Sequence, residues 1–192
     1  MLRRALPLLA LPALAQGFSF IAEPVALLRT GGLNLYLRHA ITDRSQVDTG
    51  RRGERAGQRN LSEAGRTQAR ALGEAFRRHA IPVTEVLTSE VFRALDTAGL
   101  AFGGGRVERD LIADDYTPGD AAEDAAAVSR RLAEPVTGGN RVMVGHIVPL
   151  GMILGRGLAQ GEFPEGAMGV FRPGGGRWSF LGFVRAEQLI GG

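Results

Sequence analysis

The feature that most constrains the fold of this chain is an alternation of strand and helix patterns along its length. Short apolar runs rich in strand-forming residues are separated by longer segments whose apolar residues recur at helical spacing. Such alternation favours a mostly parallel sheet with helices packed on both faces. We therefore predict an α/β fold, a three-layer sandwich, in one domain that spans residues 16–192 and is long enough to bury its own core.

The individual elements follow from local patterns and from residues that begin or end helices. The predicted strands cover residues 33–37, 83–89 and 141–144, and a closing hairpin pairs 169–171 with 178–184. The predicted helices run from an N-cap at Ser62 to His79, over 92–102, from Asp120 to a stop at Pro135, and over 147–154. Residues 42–59 are polar and unpatterned, which indicates a long loop.

The first fifteen residues have the pattern of a secretory signal peptide. Arg3 and Arg4 precede an apolar run over residues 5–14, and small residues close the segment at Ala15. The run is too short, and too interrupted by proline, to span a bilayer as a stable helix. We expect cleavage after Ala15, a periplasmic or secreted mature chain, and no stable membrane span after cleavage. The alternative is a buried or membrane-surface helix at the N-terminus.

Charge and composition exclude several classes of function. All 23 basic residues are arginines, and removal of the predicted signal peptide lowers the net charge from +3 to +1. This balance argues against a nucleic-acid partner. The chain has no cysteine, which excludes disulfides, thiolate catalysis and cysteine-ligated metal sites.

Two of the predicted strands end in residues suited to phosphate chemistry. Arg38 and His39 directly follow the first strand, and Gly145 and His146 follow a later one. In α/β sheets the carboxyl ends of parallel strands lie at one edge, where ligands bind. We therefore expect these side chains to meet in one site.

Four ordered motifs resemble those of the histidine phosphatase superfamily. They are Arg-His-Ala at 38–40, Arg-Asn-Leu-Ser-Glu-Ala-Gly-Arg-Thr-Gln-Ala at 59–69, Ser89 with Arg-Ala-Leu-Asp-Thr-Ala at 93–98, and Val-Gly-His at 144–146. The resemblance implies a phosphoglycerate mutase-like fold that needs no metal or other cofactor. The chain looks like the small exported bacterial branch. This implies a phosphomonoesterase for a phosphorylated small molecule or glycan, such as lipopolysaccharide core heptose phosphate.

The resemblance also implies a role for each residue of the predicted site. His39 would attack phosphorus through an unprotonated ring nitrogen, and water would hydrolyse the phosphohistidine. Arg38 and Arg93 would hold the phosphoryl oxygens through bidentate hydrogen bonds, with His146 as a further, protonated donor. A neutral nucleophile beside a charged His146 predicts a mildly acidic optimum.

The general acid that protonates the leaving oxygen is a separate question. Ile147 follows His146, so the acid directly after the late histidine that typifies the acid-phosphatase branch is absent. We select Asp114, from its position after Leu111, as the catalytic acid. The alternatives are Asp115, Glu108, Glu165, or no acid at all.

Five arginines crowd the predicted loop after the nucleophile, and we interpret them as solvated, with a wider anionic site as the alternative. They are Arg44, Arg51, Arg52, Arg55 and Arg59. Two other functions also stay open. A phosphohistidine phosphatase of signalling proteins is disfavoured by the predicted export signal, and a non-catalytic phosphate- or glycan-binding module is disfavoured by the intact His39.

Overall fold

The computed structural model describes residues 18–192. The predicted signal peptide, with Arg3, Arg4 and the cleavage point after Ala15, lies outside these residues. Over residues 18–192, none of the helices combines the length and the apolar character needed to cross a membrane.

A six-stranded mixed sheet forms the centre of the molecule, in the order β3-β2-β4-β1-β5-β6. The strands are β1 Asn34–Arg38, β2 Val83–Thr88, β3 Arg106–Val107, β4 Asn140–Gly145, β5 Met168–Gly174 and β6 Arg177–Val184. The first four strands pair in parallel, whereas β5 and β6 join antiparallel as the predicted hairpin. The predicted α/β sandwich is confirmed.

Helices cover both faces of this sheet. They are α1 Pro24–Arg29, α2 Glu63–Arg78, α3 Phe92–Phe102, α4 Ala121–Leu132, α5 Ile147–Ile153 and α6 Ala186–Ile190. Leu37 of β1 lies in the core beneath α2 and α3, and the adjacent Tyr36 lies in the core beneath α4 and α5. Successive residues of a strand point to opposite faces, so β1 is buried on both sides.

The longer predicted helices match those of the structure, whereas three short elements, α1, α6 and β3, were not predicted from the sequence. The Ser62 hydroxyl accepts a hydrogen bond from the Gly65 N–H at 3.1 Å and caps α2 as expected. Helix α4 ends at Leu132, before the predicted stop at Pro135, because the residue preceding a proline disfavours helical geometry. Helices α1 and α6 and strand β3 have too few residues to show a period.

Strand register brings the predicted site residues to one edge of the sheet. Arg38 at the end of β1 lies opposite Gly145 at the end of β4, and Thr88 of β2 lies opposite Val144. The residues that directly follow these strands therefore leave the sheet side by side. This places His39, Ser89 and His146 at the same carboxyl edge.

Candidate active site

Four predicted side chains meet at the carboxyl edge of the sheet and form what we call the pocket: Arg38, His39, Arg93 and His146. Their exposed fractions are only 3% to 4%. The first turn of α3 supplies Arg93, and the ring centroids of His39 and His146 are 5.3 Å apart. The expectation that these distant sequence positions meet is confirmed.

The backbone fixes the orientation of the His39 ring. Its Nδ1 atom lies 2.9 Å from the carbonyl oxygen of Ala40. A carbonyl can only accept, so Nδ1 carries the proton of the neutral ring and Nε2 carries the lone pair. Burial, and then the charge of Arg93, lower the pKa of His39 well below its ordinary value. His39 is therefore neutral at physiological pH and presents a nucleophilic nitrogen.

His146 presents a hydrogen-bond donor to the pocket without being charged. Its Nε2 atom lies 3.0 Å from the Ser89 hydroxyl, which also accepts from the Val91 N–H at 3.2 Å. We assign the hydroxyl proton to the Ser89–Nε2 bond, which places the ring proton on Nδ1. Burial, and then the charge of Arg93, lower the pKa of His146 well below its ordinary value. The prediction that His146 is protonated is thus wrong for the protein alone, because the buried ring beside a guanidinium stays neutral.

The two pocket arginines are each anchored through one Nη1 atom. Arg38 donates from Nη1 to the carbonyl oxygen of Phe163 at 2.6 Å, and Arg93 donates from Nη1 to Asp48 Oδ1 at 2.9 Å. Burial lowers the pKa of Arg38 to about 10, which still leaves it charged at neutral pH. Both guanidinium groups therefore hold positive charge in a site nearly closed to solvent.

Three buried nitrogen atoms of the pocket have no hydrogen-bond partner among residues 18–192. They are Nε of Arg38, Nε of Arg93 and Nδ1 of His146. A buried donor without an acceptor costs about 1–3 kcal/mol, so the arrangement favours a ligand that brings several acceptor oxygens. Two buried positive charges further favour an anion. A phosphoryl group has both properties.

Side chains of the sequence motifs hold the segment that follows His39. The Thr97 hydroxyl accepts from the Ala40 N–H at 2.9 Å. Gln68 accepts from the Ile41 N–H at 3.2 Å and donates to the Glu165 carbonyl oxygen at 3.1 Å. Helices α2 and α3 thus position His39 through its neighbours in sequence.

Two motif glycines allow close approaches that a side chain would block. A Cβ atom on Gly65 of α2 would overlap the carbonyl group of Ile41. A Cβ atom on Gly145 would overlap the hydroxyl of Tyr36, which is within 3.0 Å of both the N–H and the carbonyl oxygen of His146. The glycine before His146 therefore makes room for the tyrosine that orients its backbone.

The acidic candidates differ in what they contact. Asp114 is half-buried, and burial and then the charge of Asp115 raise its pKa above the ordinary aspartate value, while Arg93 acts in the opposite direction. Asp115 is exposed. The Glu108 carboxylate accepts from Arg106 and from Arg131, and lies against α4. Asp114 is therefore the one of these acids whose pKa is raised.

Glu165 lies close to the pocket but is already bound by other groups. Its Oε1 accepts from the Thr42 hydroxyl at 2.6 Å, and its Oε2 accepts from Arg44 at 3.2 Å. These contacts tie the segment before β5 to the loop after the nucleophile. The side chain suits a structural role better than proton donation.

Throughout the described part of the chain, no group of three or more His, Asp or Glu side chains could hold a metal ion.

Asp48 is the functional residue that sequence reasoning missed. Its Oδ1 accepts from Arg93 at 2.9 Å, from the Tyr116 hydroxyl at 2.5 Å and from the Arg59 N–H at 2.9 Å. Burial alone would raise the pKa of Asp48, but the bonds from Tyr116 and Arg59 and the charge of Arg93 lower it. Asp48 is thus a carboxylate that fixes Arg93. No pattern marks it, because it stands alone in an irregular loop.

Comparison with known proteins shows a resemblance in sequence to one family and in fold to several solved structures. Residues 35–114 match the model of the histidine phosphatase superfamily, branch 1. The matched segment includes Arg38, His39, Arg93 and Asp114, whereas His146 follows it. No curated protein matches the chain in sequence.

Several solved structures share the fold. A phosphoserine phosphatase mutant from Entamoeba histolytica in complex with phosphoserine has a TM-score of 0.61 at 12% identity, covering 82% of this chain and 98% of its own. The protein histidine phosphatase SixA complexed with tungstate has a TM-score of 0.57 at 15% identity, with coverage of 82% and 99%. A mycobacterial glucosyl-3-phosphoglycerate phosphatase has a TM-score of 0.57 at 21% identity, with coverage of 80% and 99%.

Proposed function

We propose that this chain is a phosphomonoesterase of the histidine phosphatase superfamily that works through a phosphohistidine on His39 and needs no metal. The observation that carries the proposal is the set of three buried nitrogen atoms without hydrogen-bond partners, on Arg38, Arg93 and His146, beside a neutral imidazole with a free lone pair. The family match over residues 35–114 and the phosphatases of the same fold support it.

Substrate binding would place the phosphoryl group against the pocket donors. The Nε atoms of Arg38 and Arg93, together with their outer amino groups, would bind its peripheral oxygens, and His146 would add its Nδ1–H. In phosphoryl transfer the negative charge spreads over these oxygens, so preorganised donors stabilise the transition state. The buried position strengthens each interaction because water is excluded.

The first chemical step would transfer the phosphoryl group to His39. The Nε2 lone pair forms a bond to phosphorus while the bond to the ester oxygen breaks, and Asp114 gives its proton to that leaving oxygen. The positive charge on the phosphorylated ring is stabilised because its Nδ1–H donates to the Ala40 carbonyl oxygen. In the second step Asp114, now a carboxylate, takes a proton from water, which attacks phosphorus and restores free His39.

The substrate and location are parts of the same proposal. We expect a phosphorylated small molecule or glycan, with lipopolysaccharide core heptose phosphate as one example. The chain would act in the periplasm or outside the cell after removal of residues 1–15. N-terminal sequencing of the exported protein tests this, with Gln16 as the expected first residue. A mature chain that retains Met1 would contradict cleavage.

The catalytic proposal is tested with a generic aryl phosphate in the presence and absence of EDTA. We expect EDTA to have no effect and His39→Ala to lower kcat by about 10³-fold or more, because the nucleophile is removed. His79→Gln is the matched control. His79 lies at the opposite end of α2, where its ring contacts the Leu189 carbonyl oxygen, so activity should stay within about twofold.

Each contrary result has a distinct meaning. Activity that survives His39→Ala would exclude the phosphohistidine mechanism, and activity lost in EDTA would exclude metal independence. A wild-type protein that binds tungstate yet hydrolyses neither aryl phosphate nor phosphohistidine would instead be a binding module. Turnover of phosphohistidine alone would favour the signalling-protein alternative.

A further inference from the structure

We infer that Arg59 forms a second anion subsite beside the phosphoryl pocket and selects phosphomonoesters whose leaving group carries its own negative charge. The ligand class is a phosphate ester with a nearby carboxylate or second phosphate. This inference rests on the proposed function, since it concerns the leaving-group side of the same site.

Arg59 is tied to the pocket through Asp48. Its N–H donates to Asp48 Oδ1 at 2.9 Å, and its Nη2 lies 3.7 Å from Asp48 Oδ2. The same Oδ1 atom accepts from Arg93 at 2.9 Å. One carboxylate therefore holds a catalytic arginine and Arg59 next to each other. The charge of Arg59 also contributes to lowering the pKa of His39, which places it near the nucleophile.

Arg59 differs in its contacts from the other arginines of its loop. Arg44, Arg51, Arg52 and Arg55 contact Glu165, Glu54, Glu90 and Asp96 respectively. Arg59 shares Asp48 with Arg93, much as Arg55 shares Asp96 with Arg66, but of the five loop arginines Arg59 is the one whose buried Nε has no acceptor within residues 18–192. It thus retains a buried donor without a local partner.

Position separates Arg59 from the phosphoryl-binding arginines. Its side chain is 34% exposed, whereas Arg38 and Arg93 are only 3% and 4% exposed. Asp48 also accepts from Tyr116, which belongs to the same short turn as the proposed acid Asp114. Arg59 is therefore linked to the element that protonates the leaving group. A guanidinium there would meet the part of the substrate beyond the ester oxygen.

The chemistry of the guanidinium defines what it would select. Arginine binds carboxylates and phosphates through paired, charge-assisted hydrogen bonds. Such bonds contribute enough to change specificity by about 10- to 100-fold in a partly buried site. A neutral leaving group would leave the buried Nε without an acceptor, so the site would discriminate against it.

The experiment compares substrates that differ only in this charge. One pair is phosphoglycolate and 2-hydroxyethyl phosphate, and a longer pair is 4-carboxyphenyl phosphate and phenyl phosphate. We expect wild type to prefer the carboxylate member of at least one pair by about tenfold or more in kcat/KM. Arg59→Gln should lower kcat/KM for the carboxylate member by at least about tenfold more than for the neutral member, so that the preference is lost.

Arg51→Gln is the matched control, because Arg51 belongs to the same loop, is 71% exposed and contacts only Glu54 among carboxylates of the described chain. It should keep the preference. Arg59→Gln retains the backbone N–H that binds Asp48, and circular dichroism checks its fold. A preference below about threefold in both pairs overturns the inference, as does an equal loss on charged and neutral members in Arg59→Gln.

Failure of the proposed function would look different. If wild type hydrolyses no phosphate ester, calorimetric Kd values for the same pairs still test Arg59. Tighter binding of the carboxylate members that Arg59→Gln abolishes would support the subsite without catalysis. Equal binding of both members of each pair would overturn it.

Discussion

The chain uses arginine in two contrasting ways in neighbouring regions. In the pocket, Arg38 and Arg93 are almost fully buried, and each leaves a buried Nε without an acceptor among the described residues. In the loop after the nucleophile, four arginines have side chains that are 39% to 71% exposed, and each contacts a carboxylate. The residue type is the same, but burial and partners differ.

This contrast shows that the role of an arginine in this chain depends on its burial and its hydrogen-bond partners, because the residue type is the same in both regions. A buried guanidinium with open donors can bind a ligand more strongly than one in water, because its charge is less screened. An exposed guanidinium that already contacts a carboxylate contributes about 0–1 kcal/mol to stability. We therefore expect the pocket arginines to serve the proposed chemistry and the paired ones to shape the loop.

The strongest test of this contrast replaces one arginine from each region by alanine. Arg93→Ala should lower kcat by about 10²–10³-fold, because it removes a preorganised donor to the transition state. Arg93→Lys should recover little, since an ammonium cannot make the paired contact. Arg55→Ala, which removes a bidentate contact to Asp96, should leave kcat within about twofold. Steady-state kinetics with an aryl phosphate measures all three.

A fall in kcat of similar size in Arg55→Ala would contradict the contrast between pocket and loop arginines, because a loop arginine would then act in catalysis. Thermal unfolding of each variant separates lost activity from lost folding. Arg93→Ala that keeps both its fold and full activity would remove the proposed role of Arg93.

Sequence reasoning was sufficient where local pattern and topology act together. Arg38 ends a strand, His39 and His146 directly follow strands, and parallel strands end at one edge, so the meeting of these residues could be predicted. The helix over 92–102 was predicted with its observed bounds because apolar residues recur in it and Gly103 ends it in a left-handed conformation.

The remaining features depend on contacts that span long stretches of sequence. Asp48 matters only because Arg93 and Tyr116, far along the chain, converge on it. The charge state of His146 depends on how deeply the fold buries the ring beside Arg93. Periodicity predicts neither how deeply a side chain such as His146 is buried nor which partners a loop residue such as Asp48 has. Both features became visible only in the three-dimensional structure.

The next prediction concerns the acid and the pH profile. His39 must be neutral, and because its pKa is lowered well below the ordinary value, its protonation limits activity only below the ordinary titration range of histidine. Asp114 must hold a proton, so activity falls as pH rises through its raised pKa. We expect an acidic optimum, and Asp114→Asn should lower kcat on alkyl phosphates by about 10²-fold while flattening the alkaline side of the profile.

Asp115→Asn is the matched control, since Asp115 is the exposed neighbour of Asp114. It should keep the alkaline limb and most of the activity. Aryl phosphates have better leaving groups and should lose less in Asp114→Asn than alkyl phosphates. An unchanged profile in Asp114→Asn would show that another group, or none, protonates the leaving oxygen.

A smaller effect is expected when the support of Arg93 is weakened. Asp48→Asn keeps the side-chain shape but removes the charge that holds Arg93 and Arg59. We expect kcat/KM to fall about tenfold, because misplaced donors stabilise the transition state less. Asp43→Asn, in the same loop but bonded locally to Ser45, should have no such effect. Tungstate inhibition constants should weaken in Asp48→Asn alone.

The smallest expected effect belongs to the loop arginines. Arg55 donates through two nitrogen atoms to Asp96 at 2.7 Å, and its guanidinium lies 4.3 Å from the Phe92 ring centroid. Because the side chain is half exposed, Arg55→Gln should cost only about 0.2–1 kcal/mol of unfolding free energy. That cost should shrink in high salt, which screens exposed pairs. Urea unfolding of both proteins at low and high salt measures it. A loss well above 1 kcal/mol that salt does not change would mean that Arg55 contributes through packing on Phe92, and the two classes of arginine would then differ in burial but not in structural importance.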